Sequence, residues 1–307
     1  MHVRPMLDVD LERADHVMRL AFGTVRGLPD PSTAFDDREM VRTRFEAAPE
    51  WAWVAEVDGD VAGSVFAARW GSFGVFGPLT VHPALWDRGI GSRLLVPVLQ
   101  AFERWDVRQA GLYTFASSPK HLGLYQKHGF QPRHLVVILA TAVDPRMRAP
   151  YSVVSGDDRR VLAEIRLLTD EVFTGLELGH EVVAANAQGI GETVLVRREG
   201  TLEGMAVCHY GAGSEGGSDT CYVKFAAALP GNGARDRFSR LLDACEAFAA
   251  ENGLGRLEVG VDTGRLDAYG RLLDHGFRIE QIGVSMLLHP RQPYFDTPSH
   301  YVIADLR

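Results

Sequence analysis

The stretch Leu79-Thr80-Val81-His82-Pro83-Ala84-Leu85-Trp86-Asp87-Arg88-Gly89-Ile90-Gly91-Ser92 concentrates the residues best suited to chemistry. It reads as a strand, a turn closed by Pro83, and a glycine loop that opens a helix. Glycines at 89 and 91 let successive backbone N–H groups converge with no Cβ in the way. A helix N-terminus adds unpaired N–H groups and partial positive charge. Together these suit a pyrophosphate, and Arg88 and Arg93 stand close enough in sequence to add charge. A plain helix-capping loop would use the same residues. The pattern is not a dinucleotide fingerprint, because the third glycine and the later acidic residue are missing, and no Gly-Lys-Ser/Thr follows to make a P-loop.

The elements that must position this loop occur twice. At a constant offset of 147 residues, Pro83 falls on Pro230, Ser92-Arg93-Leu94-Leu95 on Ser239-Arg240-Leu241-Leu242, and His128-Gly129-Phe130 on His275-Gly276-Phe277. At an offset of 141, Val54–Gly63 falls on Leu195–Gly204, each a strand, a tight turn (Asp58-Gly59 or Glu199-Gly200) and a strand. The six-residue difference falls in Gly211–Ser218, whose composition predicts a flexible loop. Each copy reads as an amphipathic helix (Asp10–Phe22; Asp157–Phe173), the hairpin, and a strand ending at Pro83 or Pro230. A helix (Ile90–Arg104; Arg237–Glu251), a strand (Gly111–Phe115; Arg256–Val261), a short helix (Pro119–His128; Arg265–His275) and a last strand (Leu135–Thr141; Ile282–Leu288) follow. Tyr301–Leu306 alternates as one more strand. The fold class is α/β: two tandem units, each a mixed, mostly antiparallel sheet flanked by helices. The boundary falls in Asp144–Pro150, dividing the chain into residues 1–146 and 147–307.

Composition narrows the function. The 307 residues are 46% hydrophobic and carry a net charge of −8. The first figure excludes disorder as the main state; the second, without a Lys/Arg cluster, argues against nucleic acid. The longest apolar run, Leu135–Val143, has about nine residues where a membrane span needs about 20. Met1–Asp8 lacks the apolar core of a signal peptide, so a cytoplasmic location without membrane attachment is expected. Cys208, Cys221 and Cys245 match no zinc or disulfide spacing and read as core packing. No metal is expected. The scarcity of lysine (only Lys120, Lys127 and Lys224) reads as genome composition.

Leu79, Val81, Pro83, Gly89 and Gly91 together resemble the acetyl-CoA motif of the GCN5-related N-acetyltransferases, the GNAT superfamily. Trp86 departs from it, standing where the family usually has Arg or Gln. Ser118-Pro119 and Leu124-Tyr125-Gln126-Lys127-His128-Gly129-Phe130 resemble the family's later Asn-x-x-Ala-x-x-Leu-Tyr-x-Lys-x-Gly-Phe segment, with Ser118 for the Asn and His121 for the Ala. The resemblance implies acetyl-CoA as co-substrate, contacted by Leu79, Thr80, Val81, Asp87, Arg88, Gly89, Ile90, Gly91, Ser92, Ser118 and Tyr125. It implies a strand at Leu79–Val81 splayed from its neighbour, so that its free backbone edge takes the pantetheine arm and a backbone N–H polarises the thioester carbonyl. It assigns Tyr125 as the donor to the leaving thiolate. The acceptor implied is a primary amine of a small molecule or peptide, attacking the thioester directly.

The base is open. Gly77 stands where many relatives have Glu; His82, Asp36, Asp37, a backbone carbonyl and a water chain are candidates, and His121 reads as a helix-surface residue. Asp36 and Asp37 belong to a loop, Gly27–Asp37, expected to cover the acceptor. Trp51, Trp53, Phe35, Trp70 and Trp86 suit either an aromatic pocket or the core. In the second copy Gly89 becomes Asp236, Gly91 becomes Phe238 and Tyr125 becomes Leu272, so residues 147–307 read as a degenerate copy that shapes the acceptor site or mimics a dimer partner. Whether the chain forms a homodimer is open. Two other readings stand beside the leading one: an acyltransferase using another acyl-CoA, and a non-catalytic acyl-CoA-binding regulatory module.

Overall fold

The structure is a computed structural model that describes residues 1–154, 157–288, 297 and 299–307. The first half runs β1 (His2–Pro5), α1 (Leu11–Arg26), α2 (Met40–Ala47), β2 (Ala52–Val57), β3 (Asp60–Trp70), β4 (Phe73–Phe76), β5 (Thr80–Val81), α3 (Ile90–Trp105), β6 (Gln109–Thr114), α4 (Pro119–Lys127) and β7 (Phe130–Ala142). The second runs β8 (Ser152–Val153), α5 (Arg159–Val172), α6 (Gly179–Ala187), β9 (Gly191–Arg198), β10 (Thr201–Gly211), β11 (Gly217–Ala228), α7 (Ala234–Glu251), β12 (Arg256–Asp262), α8 (Leu266–Asp274), β13 (Arg278–Leu288) and β14 (Val302–Ile303). Helices α2 and α6 carry only weak apolar stripes, so periodicity does not announce them. Among the described residues no helix is long and apolar enough to cross a membrane.

The strands form one mixed, mostly antiparallel sheet in the order β1-β2-β3-β4-β6-β13-β7-β12-β11-β10-β9-β8, with β5 on β3 and β14 on β11. The two hairpin turns put both central residues at positive φ (Asp58 53°, Gly59 85°; Glu199 51°, Gly200 84°), which matches the right-handed twist of the flanking strands. The last strand of each half is exchanged. β13 pairs with β6 from Val284↔Thr114 to Leu288↔Ala110, while β7 pairs with β12 from Arg256↔Ala142 to Asp262↔Val136. Each half's sheet is completed by the other, and the seam lies between β6 and β12.

Helix α3 covers one part of this sheet with Leu94, Leu95, Val98, Phe102 and Trp105, all buried. Helix α7 covers its counterpart with Phe238, Leu241, Leu242, Cys245 and Phe248, among which the three cysteines pack. It starts at Ala234, a turn before the expected Arg237, because Gly233 at φ 82° caps it. Gly211–Ser218 is not the flexible loop its composition predicts. Ser214 is fully buried, its Oγ accepts from the N–H groups of Gly216 (3.0 Å) and Gly217 (3.1 Å), and Glu215 points into the seam. There Glu215 accepts from Arg44 at 3.0 Å through both carboxylate oxygens and from Lys224 at 2.9 Å. Arg44 comes from α2 in the first half, so a buried ion cluster joins the halves.

Candidate active site

Strand β5 pairs with β3 (Gly63↔Val81, Ser64↔Thr80) on one edge. On the other side β4 runs parallel to β6 only through Phe73–Val75, and the two chains then part. The second edge of β5 therefore faces a cleft. An open strand edge presents N–H and C=O groups that an extended amide-bearing ligand can pair. The cleft is a cavity of about 530 Å³ lined by Leu79, Thr80, Val81, Asp87, Gly89, Ile90, Gly91, Ser92, Ser118 and Tyr125, with Phe22 of α1 and Lys120, His121 and Lys127 of α4.

At one end of this cleft sits the start of α3. Gly89 caps the helix at φ 75°, a left-handed conformation that glycine adopts without strain. A Cβ at Gly91 would lie 3.2 Å from Leu124 Cδ2, so that position also keeps the loop close to α4. The first loop-to-helix bond comes from Arg93 N to Gly89 O, which leaves the N–H groups of the first turn for an anion. Trp86 donates its indole N–H to Val81 O at 2.8 Å and so ties the loop back to β5. Lys120 sits 5.1 Å over the Trp86 ring and pairs with Asp87 at 2.8 Å. Arg88 and Arg93 are exposed and do not line the cavity. The cations that line it are instead Lys120 and Lys127, two of the three lysines of the chain.

A second cavity, of about 500 Å³, opens on the seam. Its walls include Phe22, Arg26, Phe35 and Asp36 from the first half, and Tyr222, Glu258, Gln281 and Arg307 from the second. Arg19 holds the Phe35–Asp36 loop there through Ala34 O (2.7 Å), Asp36 O (2.9 Å) and Arg38 O (2.8 Å). Arg26 stacks its guanidinium 4.6 Å from the Phe35 ring centroid. Glu258 accepts from Arg307 (2.9 Å), Arg38 (3.4 Å) and Arg256 (3.4 Å). Burial alone would raise its carboxyl, but Arg307 and Arg38 outweigh that and bring it down to about 2. The C-terminal tail thus delivers Arg307 to this cavity.

The two cavities meet at Tyr125. Its side chain is 7% exposed and packs edge-on against Phe76 (5.8 Å) and Phe130 (6.5 Å). Burial pushes the phenol well above its ordinary pKa, so it stays protonated and available as a donor. His121, expected on the helix surface, is half-buried and lines both cavities, one turn before Tyr125. The other candidates separate. Asp36 lines the seam cavity; the Asp37 carboxylate accepts from Ser218 N at 3.1 Å and from Ser218 Oγ, away from both cavities; His82 Nδ1 accepts from Ala84 N at 3.2 Å and caps a turn. Of the five aromatics, Trp51 and Trp53 pack with Trp105 in the core, and buried Trp70 donates to Glu181 at 2.8 Å. Only Phe35 reaches the seam cavity and Trp86 the cleft. Among the described residues no three His, Cys, Asp or Glu side chains converge as a metal site.

The second half shows what the same cleft looks like when filled. β11 parts from β12 after Val223↔Val259, as β4 parts from β6. Its free edge is taken by β14 (Ala226↔Ile303, Ala227↔Val302), with Ala228 N donating to Tyr301 O at 3.0 Å. These are the repeat counterparts of Leu79–Val81. Phe238, the counterpart of Gly91, is fully buried 5.3 Å from the Tyr301 ring, and Leu272, the counterpart of Tyr125, is fully buried too. A strand of the chain's own tail occupies the edge that β5 leaves open.

Residues 49–132 match the sequence model of the acetyltransferase (GNAT) domain family. A search of curated proteins finds no match. Among solved structures, a putative acetyltransferase from Pyrococcus horikoshii is similar with a TM-score of 0.72 at 16% identity, over 99% of this chain and 94% of that one. A GCN5-related N-acetyltransferase from Sphaerobacter thermophilus gives a TM-score of 0.58 at 16% identity, over 93% and 94%. A tandem GNAT protein from the clavulanic acid biosynthesis pathway gives 0.58 at 14% identity, over 93% and 97%. At these identities the likeness is one of fold.

Proposed function

We propose, from the GNAT domain that this chain carries over residues 49–132, that it is an acyl-CoA-dependent N-acyltransferase with one active site, in its first half. We take the acyl group to be acetyl and the acceptor to be a primary amine of a small molecule or peptide. The observation that carries the reading is the contrast between two equivalent strand edges. The edge of β11 is closed by β14, whereas that of β5 carries no strand, only the Trp86 indole on Val81 O, and ends at an unpaired helix N-terminus. An acyl-CoA fits both features: its pantetheine amides pair an open edge, and its pyrophosphate suits the first turn of α3. Leu79, Thr80, Val81, Gly89, Ile90, Gly91 and Ser92 would hold it, with Ser118, Asp87 and Lys120 at the rim. The thioester then reaches Tyr125, whose phenol donates to the departing sulfur. The amine enters from the seam cavity, so the degenerate second half, residues 147–307, supplies part of the acceptor wall.

Calorimetry with acetyl-CoA tests binding. Wild type should bind, and Gly91→Trp, which fills the cleft beside Leu124, should lose at least tenfold in affinity. Turnover on a panel of primary amines, followed as free-thiol release, tests catalysis. Tyr125→Phe should keep acetyl-CoA affinity and lose about 10²-fold or more in kcat, the range of a positioned acid. Equal binding by Gly91→Trp would sink the assigned cleft. Binding without transfer to any amine would favour the regulatory-module reading.

A further inference from the structure

We propose that His121 is the base that takes the proton from the acceptor nitrogen. The inference rests on the acyl-transfer reading above. In that reaction the attacking nitrogen and the leaving sulfur share one carbon, so both proton-handling groups must stand where the two cavities meet. Five residues line both cavities: Phe22, Leu79, Phe115, His121 and Tyr125. Only the last two titrate. They are four residues apart on α4 and so lie on one face of it. The phenol suits the sulfur side; the imidazole remains for the nitrogen.

The state of His121 fits that role. Its Nδ1 is buried and has no hydrogen-bond partner among the described residues, whereas a buried imidazole with a structural job normally finds one. Burial first, and then the charge of Lys120, hold the ring below its ordinary pKa, so it is neutral and able to accept a proton near pH 7. The charged or titratable groups that line the two cavities with it are Tyr125, Lys120, Lys127 and Asp87 on the cleft side, and Arg26, Asp36, Arg38, Arg44 and Tyr113 from the first half and Glu215, Tyr222, Arg256, Glu258, Glu280 and Arg307 from the second across the seam. Lys120 is drawn off to Asp87 at the rim. Asp36 lines only the seam cavity and so reaches the acceptor but not the thioester.

The step balances. A neutral amine attacks the carbonyl carbon, the N–C bond forms and the C–S bond breaks. The proton shed by nitrogen passes to His121, and the thiolate takes the phenol proton of Tyr125. Imidazolium then returns a proton to the phenolate, directly or through water, which resets both groups and leaves an amide and a thiol.

The test is the pH profile of kcat/KM for wild type, His121→Ala and His121→Gln, with acetyl-CoA and the best amine of the panel. Wild type should lose activity as pH falls through a value below 6.5, and both variants should lack that limb. His121→Ala should fall about 10²–10⁴-fold near pH 7 and regain activity with added imidazole. Circular dichroism and acetyl-CoA calorimetry establish that the variants fold and bind. A folded, acetyl-CoA-binding variant with kcat/KM within threefold of wild type, or one that keeps the acid limb, overturns the assignment. If wild type itself transfers to no amine, the acyl-transfer reading fails and the assignment falls with it.

Discussion

Replacing Arg44 with Met should unseat the join between the halves. Arg44 reaches across the seam and donates to both oxygens of Glu215 at 3.0 Å, to Arg307 O at 2.9 Å and to Gly77 O. The two charged side chains are only 11% and 3% exposed, so solvent cannot take over when one is removed. Glu215 would keep a single strong partner, Lys224 at 2.9 Å, which it already shares with Glu181 at 3.4 Å. Breaking a buried pair by deleting one member costs about 3–5 kcal/mol, because a buried charge is left uncompensated. Arg44→Met should therefore lose about that much in urea denaturation, and Glu215→Met a similar amount. The double variant should cost less than the sum of the two, because the uncompensated charge disappears along with its partner. A loss below about 1 kcal/mol for Arg44→Met, or strict additivity in the double variant, would refute the claim that this pair is a buried, mutually dependent clamp.

Acid should weaken the fold in two stages. Burial first, and then Lys224, lower His209 from 6.5 to about 4. The folded state thus prefers the neutral ring, and its contribution is complete above the unfolded pKa and lost as pH falls from about 6.5 to 4. At about 1.4 kcal/mol per unit this amounts to about 3 kcal/mol, and His209→Leu should flatten that part of the stability curve. Glu258, depressed from 4.5 to about 2, adds a loss that begins below about 4.5 and ends near 2, measurable as a further drop that Glu258→Gln removes. Trp86→Phe keeps the ring but loses the bond to Val81 O; a stability loss of about 0.5–1.5 kcal/mol and weaker acetyl-CoA binding by calorimetry are expected. Arg19→Met frees the loop bearing Phe35 and Asp36, so limited proteolysis should cut within residues 34–38 faster, and the acceptor KM should rise more than kcat falls.

Much of this was legible from residue types and spacing. Gly89 must take a left-handed φ at the helix cap, and Asp58-Gly59 and Glu199-Gly200 must turn tightly, because few other residues adopt those conformations; such signals are local. The helix periodicity of 90–104 survives as α3 because its buried stripe is continuous. Legibility failed where a choice depended on partners far along the chain. Gly211–Ser218 has a flexible composition, but Arg44, some 170 residues away, gives Glu215 a buried counterion. His121 reads as a surface residue because α4 has only a weak apolar stripe, and only the fold shows that its face turns to two cavities. Sequence proximity brought Arg88 to the glycine loop but did not show that Lys120, from α4, also stands at the rim of the cleft.

By itself the sequence carried the α/β unit of the fold and the placing of Gly89, Gly91 and Tyr125 in the first half, with Asp236, Phe238 and Leu272 at the positions 147 residues on. Those follow from backbone conformation and from short-range hydrophobic patterning, which the chain carries residue by residue. Tertiary structure alone decided that β7 and β13 change places, that β14 closes one strand edge while no strand covers that of β5, and that a second cavity lies on the seam. A strand's periodicity sets which of its faces is buried but not which neighbour it pairs with, because backbone hydrogen bonds are the same with any partner. Pairing is settled only when distant segments compete for the same edge, and the edge left without a winner is the one that can bind a ligand.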